Sequence, residues 1–159
     1  MKEEISAEEL LFFIRKVNMK LSAQLALRLK LPELTGMQIY FLVYILRHHP
    51  KGTCLTELCR EIGVSKATLS SLLRKLEEKE YLYVCVEQED IRRKKVLPTA
   101  KLISQGSGFL QKAEKLESEI CSVLSRAERE QLIGLEKKLL KQFAAMEDNE
   151  KHKTGGYIR

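Results

Sequence analysis

Apolar residues recur at helical spacing through most of the chain. Over Ser6–Lys30 they repeat every three or four residues, which predicts one long helix that Pro32 ends. Further apolar residues cover other faces of this helix, so we expect it to be contacted on two sides, with a second subunit on one of them. Another stripe predicts a helix over Thr35–His49, where Thr35 and Gln38 have the spacing of a capping box.

The stretch Thr53–Leu82 predicts two short amphipathic helices joined by a tight turn. Gly63 supplies the permissive backbone that such a turn needs, and Ser65 is a good N-cap for the second helix. Leucines three or four residues apart give each helix one buried face. The segment Ser65–Leu76 contains no carboxylate, and its outward residues are small, hydroxylic or basic. These outward residues are Ser65, Lys66, Ala67, Thr68, Ser70, Ser71, Arg74 and Lys75.

Two interpretations of this pattern are open. The plainer one is a helical hairpin within an α-bundle, with an ordinary solvated outer face. The other is a helix-turn-helix, in which short side chains let the second helix approach base edges while hydroxyls and cations reach bases and phosphates. We favour the DNA-reading helix-turn-helix, because the small-residue turn and the acid-free second helix are features that it requires.

A β-hairpin is predicted next. Residues Tyr81–Glu87 are rich in aromatic and β-branched side chains with a period of two, and a second strand is predicted at about Arg93–Leu97. Between and within these strands lies a run of four cations that we expect at the hairpin tip, namely Arg92, Arg93, Lys94 and Lys95. A soluble loop would also carry such charges. Directly after a DNA-reading helix, we interpret the hairpin as a wing that contacts phosphates or the minor groove.

Two further helices are predicted after the wing. Apolar residues from Phe109 to Ala127 have heptad spacing, and Ser125 with Glu128 forms a capping box that starts the last helix. The predicted fold is mainly α: a winged helix-turn-helix with a two-stranded β wing, flanked by N- and C-terminal dimerisation helices. We assign residues 35–99 to the winged domain and residues 1–34 and 100–147 to the dimerisation region. Residues 148–159 are polar and are expected to form a disordered tail.

Composition narrows the class of partner. The 159 residues include 28 Lys and Arg against 22 Asp and Glu, and the net charge of +6 favours a polyanionic partner. Trp is absent and aromatic residues are few, so stacking platforms for single-stranded nucleic acid are not expected. No apolar run approaches the roughly 18–20 residues that cross a bilayer, and the acidic start does not resemble a secretory signal. We therefore expect a cytoplasmic protein with no membrane partner.

Residues that could carry catalysis or bind a metal are sparse. The four cysteines have no CxxC spacing, so free thiols are expected instead of a metal site. His48 and His49 lie in the last turn of a predicted helix, where positive charge suits the helix dipole, and we prefer this role to zinc binding. No histidine, carboxylate or thiol cluster pairs a nucleophile with a base. We expect a protein that is not an enzyme and that holds no metal or cofactor.

The order of these elements resembles the MarR family of bacterial winged-helix regulators over residues 8–146. The resemblance implies a repressor that binds pseudo-palindromic operator DNA as a homodimer through its first and last helices. It implies that Arg92 reaches DNA at the wing tip, where Asp90 has a structural role. It also implies a small lipophilic or phenolic effector that releases DNA, although no effector-binding residue can be named. The matching motifs are Leu34-Thr35 with Gln38, the Leu58–Leu76 helix-turn-helix, Leu76-Glu77-Glu78-Lys79, Asp90-x-Arg92, Thr99-Ala100-Lys101, and Leu124-Ser125 with Glu128.

The chain departs from the family pattern close to the second helix of the helix-turn-helix. Glu80 stands where a Gly usually follows that helix, so a left-handed residue there should cost about 1–2 kcal/mol or be avoided. Ser71 and Val84 stand where arginines are common, so Arg74 is expected to substitute in base contacts. Pro98 and Leu102 replace the usual Leu and Gly at the junction with the next helix.

Two alternative functions stay open. One is a cysteine-based redox-sensing regulator. Family members that sense peroxide carry the reactive cysteine in the first helix, whereas the first cysteine here is Cys54. The other is a winged-helix module used only for protein–protein interaction. The acid-free helix and the cationic wing argue against that module, because contact surfaces are usually depleted in lysine.

Overall fold

The computed structural model describes residues 4–31, 33–87 and 90–155, and within these ranges the chain forms six helices and three short strands. The fold is mainly helical with one small antiparallel sheet, which confirms a winged helix-turn-helix with flanking helices. None of the described helices is both long enough and apolar enough to cross a membrane. The elements are α1 (Ala7–Leu29), α2 (Gly36–His48), β1 (Thr53–Cys54), α3 (Leu55–Ile62), α4 (Lys66–Glu78), β2 (Leu82–Glu87), β3 (Asp90–Pro98), α5 (Ala100–Cys121) and α6 (Arg126–Gly155).

Helix α1 begins at a side-chain cap and ends on a left-handed residue. The Ser6 hydroxyl accepts a hydrogen bond from the Glu9 amide at 3.1 Å, as expected of an N-cap. Lys30 has φ 50° and donates its amide to the Ala26 carbonyl, and the helix ends there. Pro32, predicted to end this helix, lies outside the described residues. Only Leu25 and Leu29 of this helix are buried. Its remaining apolar side chains are available to another partner.

Helix α2 is the centre of the core. The predicted capping box is confirmed: the Thr35 amide donates to Gln38 Oε1 at 2.9 Å, and the Gln38 amide donates to Thr35 Oγ1 at 3.3 Å. A Cβ on Gly36 would lie 2.1 Å from the Ser22 carbonyl oxygen, so α1 and α2 approach closely only because this residue is Gly. Seven residues of α2 are buried, and leucines from α3, α4 and α5 pack around them.

The sheet has three strands, not the two that the hairpin pattern predicts. Strand β3 lies in the middle, with β2 and the short β1 antiparallel on either side. Thr53 and Cys54 form β1 where the sequence favoured the start of a helix, because they pair with Val96 and Lys95, about forty residues away in the sequence. The sheet buries Val96 and Leu82 against the helices. Local pattern alone contains no sign of this long-range pairing.

Helix α5 starts at Ala100, directly after the wing, and stays helical through Gly106 and Gly108. Phe109, Ala113 and Leu116 are buried, as the heptad pattern predicts. The prediction that this heptad stripe continues to Ala127 in one helix is wrong. Helix α5 ends at Cys121, and a turn separates it from the next helix. The stripe's last two positions, at 123 and 127, therefore do not extend α5.

Helix α6 begins with the predicted capping box. The Ser125 amide donates to Glu128 Oε1 at 2.9 Å and the Glu128 amide donates to Ser125 Oγ at 3.2 Å, and these bonds lower the pKa of the Glu128 carboxyl. The helix runs to Gly155, so residues 148–155 are helical and the expected tail was wrong there. Residues 144–153 contain no Gly or Pro, and nothing in them stops the helix. Residues 156–159 lie outside the described part.

The chain divides into two compact units, Met1–Leu116 and Glu117–Arg159. The first holds the helix-turn-helix, the sheet and the buried core, and the second holds α6 and the last residues of α5. The functional boundaries after residues 34, 99 and 147 stay a prediction.

Candidate nucleic-acid interface

The predicted recognition helix, α4, presents the expected face to solvent. Leu69, Leu73 and Leu76 are buried, while Leu72 is only half-buried and packs at the edge of the core. The predicted outward residues are all exposed, namely Ser65, Lys66, Ala67, Thr68, Ser70, Ser71, Arg74 and Lys75. This face combines three cations with small and hydroxylic side chains over most of its length, which leaves room for close approach to a polyanion.

The start of α4 is held by its own side chains. The Ser65 hydroxyl accepts from the Thr68 amide at 3.2 Å and donates to Thr68 Oγ1 at 2.9 Å. Both residues were predicted as DNA contacts. In the structure the Ser65 hydroxyl caps α4, and the Thr68 hydroxyl accepts a hydrogen bond from the Ser65 hydroxyl. The N-terminal amides of a helix and its dipole also favour a phosphate nearby. The structure therefore gives Ser65 a capping role in addition to any contact it makes.

The turn between α3 and α4 depends on a glycine. Gly63 has φ 81° and donates its amide to the Cys59 carbonyl at 2.8 Å, which ends α3 in a left-handed residue. The half-buried Cys59 packs against the core from α3, as its place on the apolar stripe predicts. Both features confirm the helix-turn-helix pattern.

A polar contact that the sequence did not reveal joins α3 to α2. The Glu61 carboxylate accepts from the Tyr44 hydroxyl at 2.7 Å, and its Oε2 also lies 2.7 Å from His49 Nε2. The Tyr44 bond, followed by the His49 bond, lowers the pKa of the Glu61 carboxyl. The same bond raises the pKa of Tyr44 to about 12. His49 is the C-cap of α2, as its position suggested, and it also carries this contact.

An open groove of about 540 Å³ lies beside α4. It is lined by Gln38 at the start of α2 and, on α4, by Ala67, Thr68, Ser71, Leu72 and Lys75. The groove borders the same exposed face, so the N-terminal end of α2 belongs to this surface. No residue of α2 was predicted in the site from the sequence pattern.

The wing carries its cations along a strand, not at a tip. Strand β3 begins at Asp90, and its pairing with β2 is irregular between Val86 and Glu87. Lys94 pairs with Val86 and Lys95 pairs with Cys85, so these two neighbours sit in the regular ladder with side chains on opposite faces. Arg93 and Lys94 are exposed and Lys95 is half-buried. The expectation of one compact cationic tip was therefore wrong for Lys94 and Lys95.

The side chains of Asp90 and Arg92 lie outside the described part of the structure. Their backbone belongs to β3, which places both residues at the start of that strand. Their predicted roles at the wing tip stay predictions.

The end of α4 has the strained backbone that the sequence predicted to be costly. Glu80 has φ 62°, so the left-handed conformation is not avoided. The Tyr81 amide donates to the Leu76 carbonyl and the Glu80 amide to the Glu77 carbonyl, both at 2.9 Å, which is the Schellman arrangement. Tyr81 and Leu76 are both buried, which agrees with the apolar contact that often accompanies this motif.

Residues after the wing and before α2 contact this end of α4. Thr99 Oγ1 donates to the Glu80 carbonyl at 2.7 Å, and Lys101 Nζ donates to the Lys79 carbonyl at 3.1 Å. Lys79 Nζ in turn lies 3.1 Å from Glu33 Oε2 in the segment before α2. Thr99 and Lys101 belong to a motif visible in the sequence, but the motif predicted no contact for either residue. Their spacing from Glu80 gave no signal of one.

The comparisons with known proteins agree with this geometry. Residues 33–93 match the family model described as MarR family. The structure resembles that of Staphylococcus aureus MepR bound to DNA, with a TM-score of 0.74 and 25% identity over 88% of this chain and 99% of that one. It also resembles the transcription regulator MarR from Oenococcus oeni, with a TM-score of 0.70 and 25% identity over 85% of this chain and 98% of that one. No curated relative matches the chain at a significant level.

The winged-helix segment of the chain, residues 33–93, is of the MarR type. The family model covers the segment from the end of the α1–α2 connection to the middle of β3, and the structural likeness extends over most of the remaining chain. MarR-family regulators are non-enzymatic transcription factors, which confirms the prediction that the chain is not an enzyme.

The cysteines of the chain are free thiols within the described residues. Cys54 and Cys85 are half-buried and both pair with Lys95, one from each side of β3. Lys95 thus lies between two thiols on one face of the sheet. It gives both thiols a cationic neighbour that the sequence pattern did not predict. In the described ranges, no group of three His, Cys, Asp or Glu side chains is arranged to hold a metal ion.

Proposed function

We propose that this chain is a homodimeric transcriptional repressor that binds a pseudo-palindromic operator in double-stranded DNA. The observation that carries the proposal is the exposed face of α4, which is free of carboxylates from Ser65 to Leu76 and carries Lys66, Arg74 and Lys75. In a helix-turn-helix such a face enters the major groove, where hydroxyls and guanidinium groups read base edges. Arg93 and Lys94 add exposed cations on the wing. The proposal places the protein in the cytoplasm, with the DNA.

Two separate apolar surfaces support the dimer. In the first unit, α1 exposes Leu10, Leu11, Phe12, Phe13, Ile14, Val17 and Met19. In the second unit, α6 exposes Leu132, Ile133, Leu135, Leu139, Leu140, Phe143 and Met146. So many exposed large apolar side chains on one helix are uncommon on a monomer in water and mark an interface. A two-fold dimer would cover both surfaces and present two copies of α4 to one face of the DNA.

The first experiment tests the DNA half of the proposal. The full chain would select bound duplexes from a random pool, which are then sequenced. We expect an inverted repeat with half-sites about one helical turn apart, 10–10.5 base pairs centre to centre. Binding that enriches no sequence, while the protein still retains duplex DNA at low salt, would contradict sequence-specific regulation.

The second experiment tests the dimer. Light scattering at micromolar concentration should give twice the mass of the 18.4 kDa chain. Leu135→Glu, on the exposed apolar face of α6, should shift the mass toward the monomer, whereas Lys137→Glu on the same helix should not. A monomeric wild-type chain would rule out this assembly.

The proposed effector is a small lipophilic or phenolic molecule, and its binding residues are unassigned. A panel of such molecules would be added to the protein on its selected duplex. Release of DNA by a compound that also raises the midpoint of thermal unfolding identifies a ligand. Failure of the whole panel would count against this class of effector without affecting the DNA proposal.

A second candidate function is thiol-dependent regulation. It is favoured by the cross-strand row of Cys54, Lys95 and Cys85, because cysteines beside cations are among those that oxidants attack. Strands about 4.8 Å apart put the Cα atoms of the two cysteines roughly 10 Å apart, too far for a disulfide between them. Under the main proposal, dilute peroxide leaves operator binding intact. Loss of binding that reductant reverses and that Cys54→Ser or Cys85→Ser prevents would favour the second candidate.

A further inference from the structure

The carbonyl groups of the C-cap of α4 and of the two residues that follow it are satisfied by Thr99, just before α5, and by Lys101 in the first turn of α5. The last carbonyls of any helix lack partners within it and must find them elsewhere. Here Lys101 Nζ donates to the Lys79 carbonyl at 3.1 Å, and Thr99 Oγ1 donates to the carbonyls of Glu80 at 2.7 Å and Tyr81 at 3.1 Å. The Thr99 amide adds a bond to the Tyr81 carbonyl at 3.1 Å. Two residues two positions apart thus hold three successive carbonyls.

Lys101 makes a second contact that fixes the direction of its side chain. Its Nζ lies 4.3 Å from the centre of the Tyr81 ring, within the range of a cation–π interaction. Tyr81 is buried and follows the left-handed Glu80 directly. An ammonium group at this end of a helix also interacts favourably with the negative end of its dipole. The side chain therefore bridges α4, the first residue after it and α5.

This bridge lies at the opposite end of α4 from Ser65 and the other proposed DNA contacts in the first turn. Helix α4 has 13 residues, and at 1.5 Å per residue its ends are about 20 Å apart, so a tilt of roughly 5° at one end displaces the other by about 1.7 Å. A hydrogen bond tolerates a range of only about 0.5 Å between donor and acceptor. Small freedom at Lys79 and Glu80 would therefore disturb base contacts made near Ser65 without altering any of those residues.

We propose that Lys101 is a positioning residue for DNA reading, which fixes the angle of α4 by bonding the Lys79 carbonyl and covering the Tyr81 ring. This inference rests on the proposed function, since it concerns how α4 meets an operator. Lys101 acts through the end of the helix and makes no phosphate contact. Its loss should therefore lower the preference for operator over other DNA and should leave the salt dependence unchanged.

The test compares Lys101→Met, Lys101→Arg and the control Lys112→Met in the full chain. Methionine keeps much of the length of the side chain but removes its charge and its donors. Lys112 is exposed on the same helix, so the control loses the same charge. Binding to a duplex selected by the wild-type chain and to a scrambled duplex would be measured across a range of salt. Amide hydrogen exchange at Glu80 and Tyr81 would be measured without DNA.

We expect Lys101→Met to lose on the order of tenfold in affinity for the selected duplex, comparable to one base contact, and less than twofold for the scrambled one. The slope of log affinity against log salt should match that of the control. Exchange at Glu80 and Tyr81 should be faster in Lys101→Met than in the control, and Lys101→Arg should restore binding and protection.

Three outcomes would overturn the proposal. Equal losses on both duplexes, with a slope smaller by about 0.9, would make Lys101 a phosphate contact. Faster exchange in Lys101→Met with an unchanged preference for the selected duplex would make Lys101 purely structural. Unchanged exchange at Glu80 and Tyr81 would show that Lys101 does not hold the end of α4. If the wild-type chain selects no sequence, the proposed function fails first. The exchange measurement then still reports whether Lys101 holds the end of α4.

Discussion

Helix α4 and strand β3 both carry basic residues, but the two elements are supported in different ways. Side chains hold α4: buried leucines beneath it, the Ser65 cap at its start, and Thr99 and Lys101 at its end. Backbone bonds to β1 and β2 hold β3 on both edges. The helix collects its cations on one exposed face, whereas the strand sends Lys94 and Lys95 to opposite faces. Single substitutions should therefore disturb α4 far more than β3.

The largest effect is expected beneath the helix. Leu69→Ala removes a fully buried side chain and should lower the free energy of unfolding by about 2–5 kcal/mol, through lost burial and the cavity left behind. Leu72→Ala, at the half-buried edge position, should cost clearly less. Denaturant titration of both variants measures the difference. Equal costs would mean that the helix is not anchored through its buried face.

The next effect concerns the exposed face of α4. Arg74→Ala should weaken operator binding by about 1–3 kcal/mol and relax the preference at particular base pairs in each half-site. Repeating the duplex selection with the variant would reveal those positions. A loss of the same size on scrambled DNA would instead assign Arg74 to a phosphate.

A gain in stability is expected at the end of α4. Glu80→Gly places the residue without a Cβ at φ 62° and should raise the free energy of unfolding by about 1 kcal/mol. Glu78→Gly, at the last residue of α4, replaces an ordinary helical residue, should lower the free energy of unfolding, and serves as the control. Thermal and denaturant unfolding would measure both. Destabilisation by Glu80→Gly would show that the left-handed residue stores no strain.

Substitutions in strand β3 should change the salt dependence of DNA binding. Lys94→Ala, an exposed cation in the regular ladder, should weaken selected and scrambled duplexes similarly and reduce the slope of log affinity against log salt by about 0.9. Lys95→Ala removes a half-buried side chain between Cys54 and Cys85 and should change the slope less. Equal slope changes would place both lysines on phosphates despite their opposite faces.

The smallest effect concerns the contact that joins α3 to α2. The folded state lowers the pKa of Glu61 from its ordinary value near 4.5, so the stability from this contact is present above that pH and lost as pH falls below it. The pKa of Tyr44 is raised from 10.0 to about 12, so stability is also lost as pH rises from 10 to 12.

Because Tyr44 and Glu61 are partly solvent-accessible, each loss should stay below about 1 kcal/mol. Unfolding measured at acid, neutral and alkaline pH tests both limits. Tyr44→Phe should remove the loss of stability between pH 10 and 12 and should reduce the loss of stability at acid pH. A profile that Tyr44→Phe leaves unchanged would contradict this assignment.

Sequence pattern alone determined the parts of this protein that depend on neighbouring residues. The capping boxes at Thr35 and Ser125, the left-handed Gly63 and the Ser65 cap were all predictable, because each bond spans three or four residues. The exposed face of α4 followed from the helical period in the same way. The helix-turn-helix could therefore be identified before any tertiary contact was known.

Tertiary structure decided the features that join distant segments. Strand β1 exists only because Thr53 meets Val96, and that pairing places Lys95 between two cysteines. Glu80 accepts a strained backbone because the Schellman bonds and Thr99 hold it. Such contacts depend on where the whole chain brings two segments together, and no local period or propensity records that position.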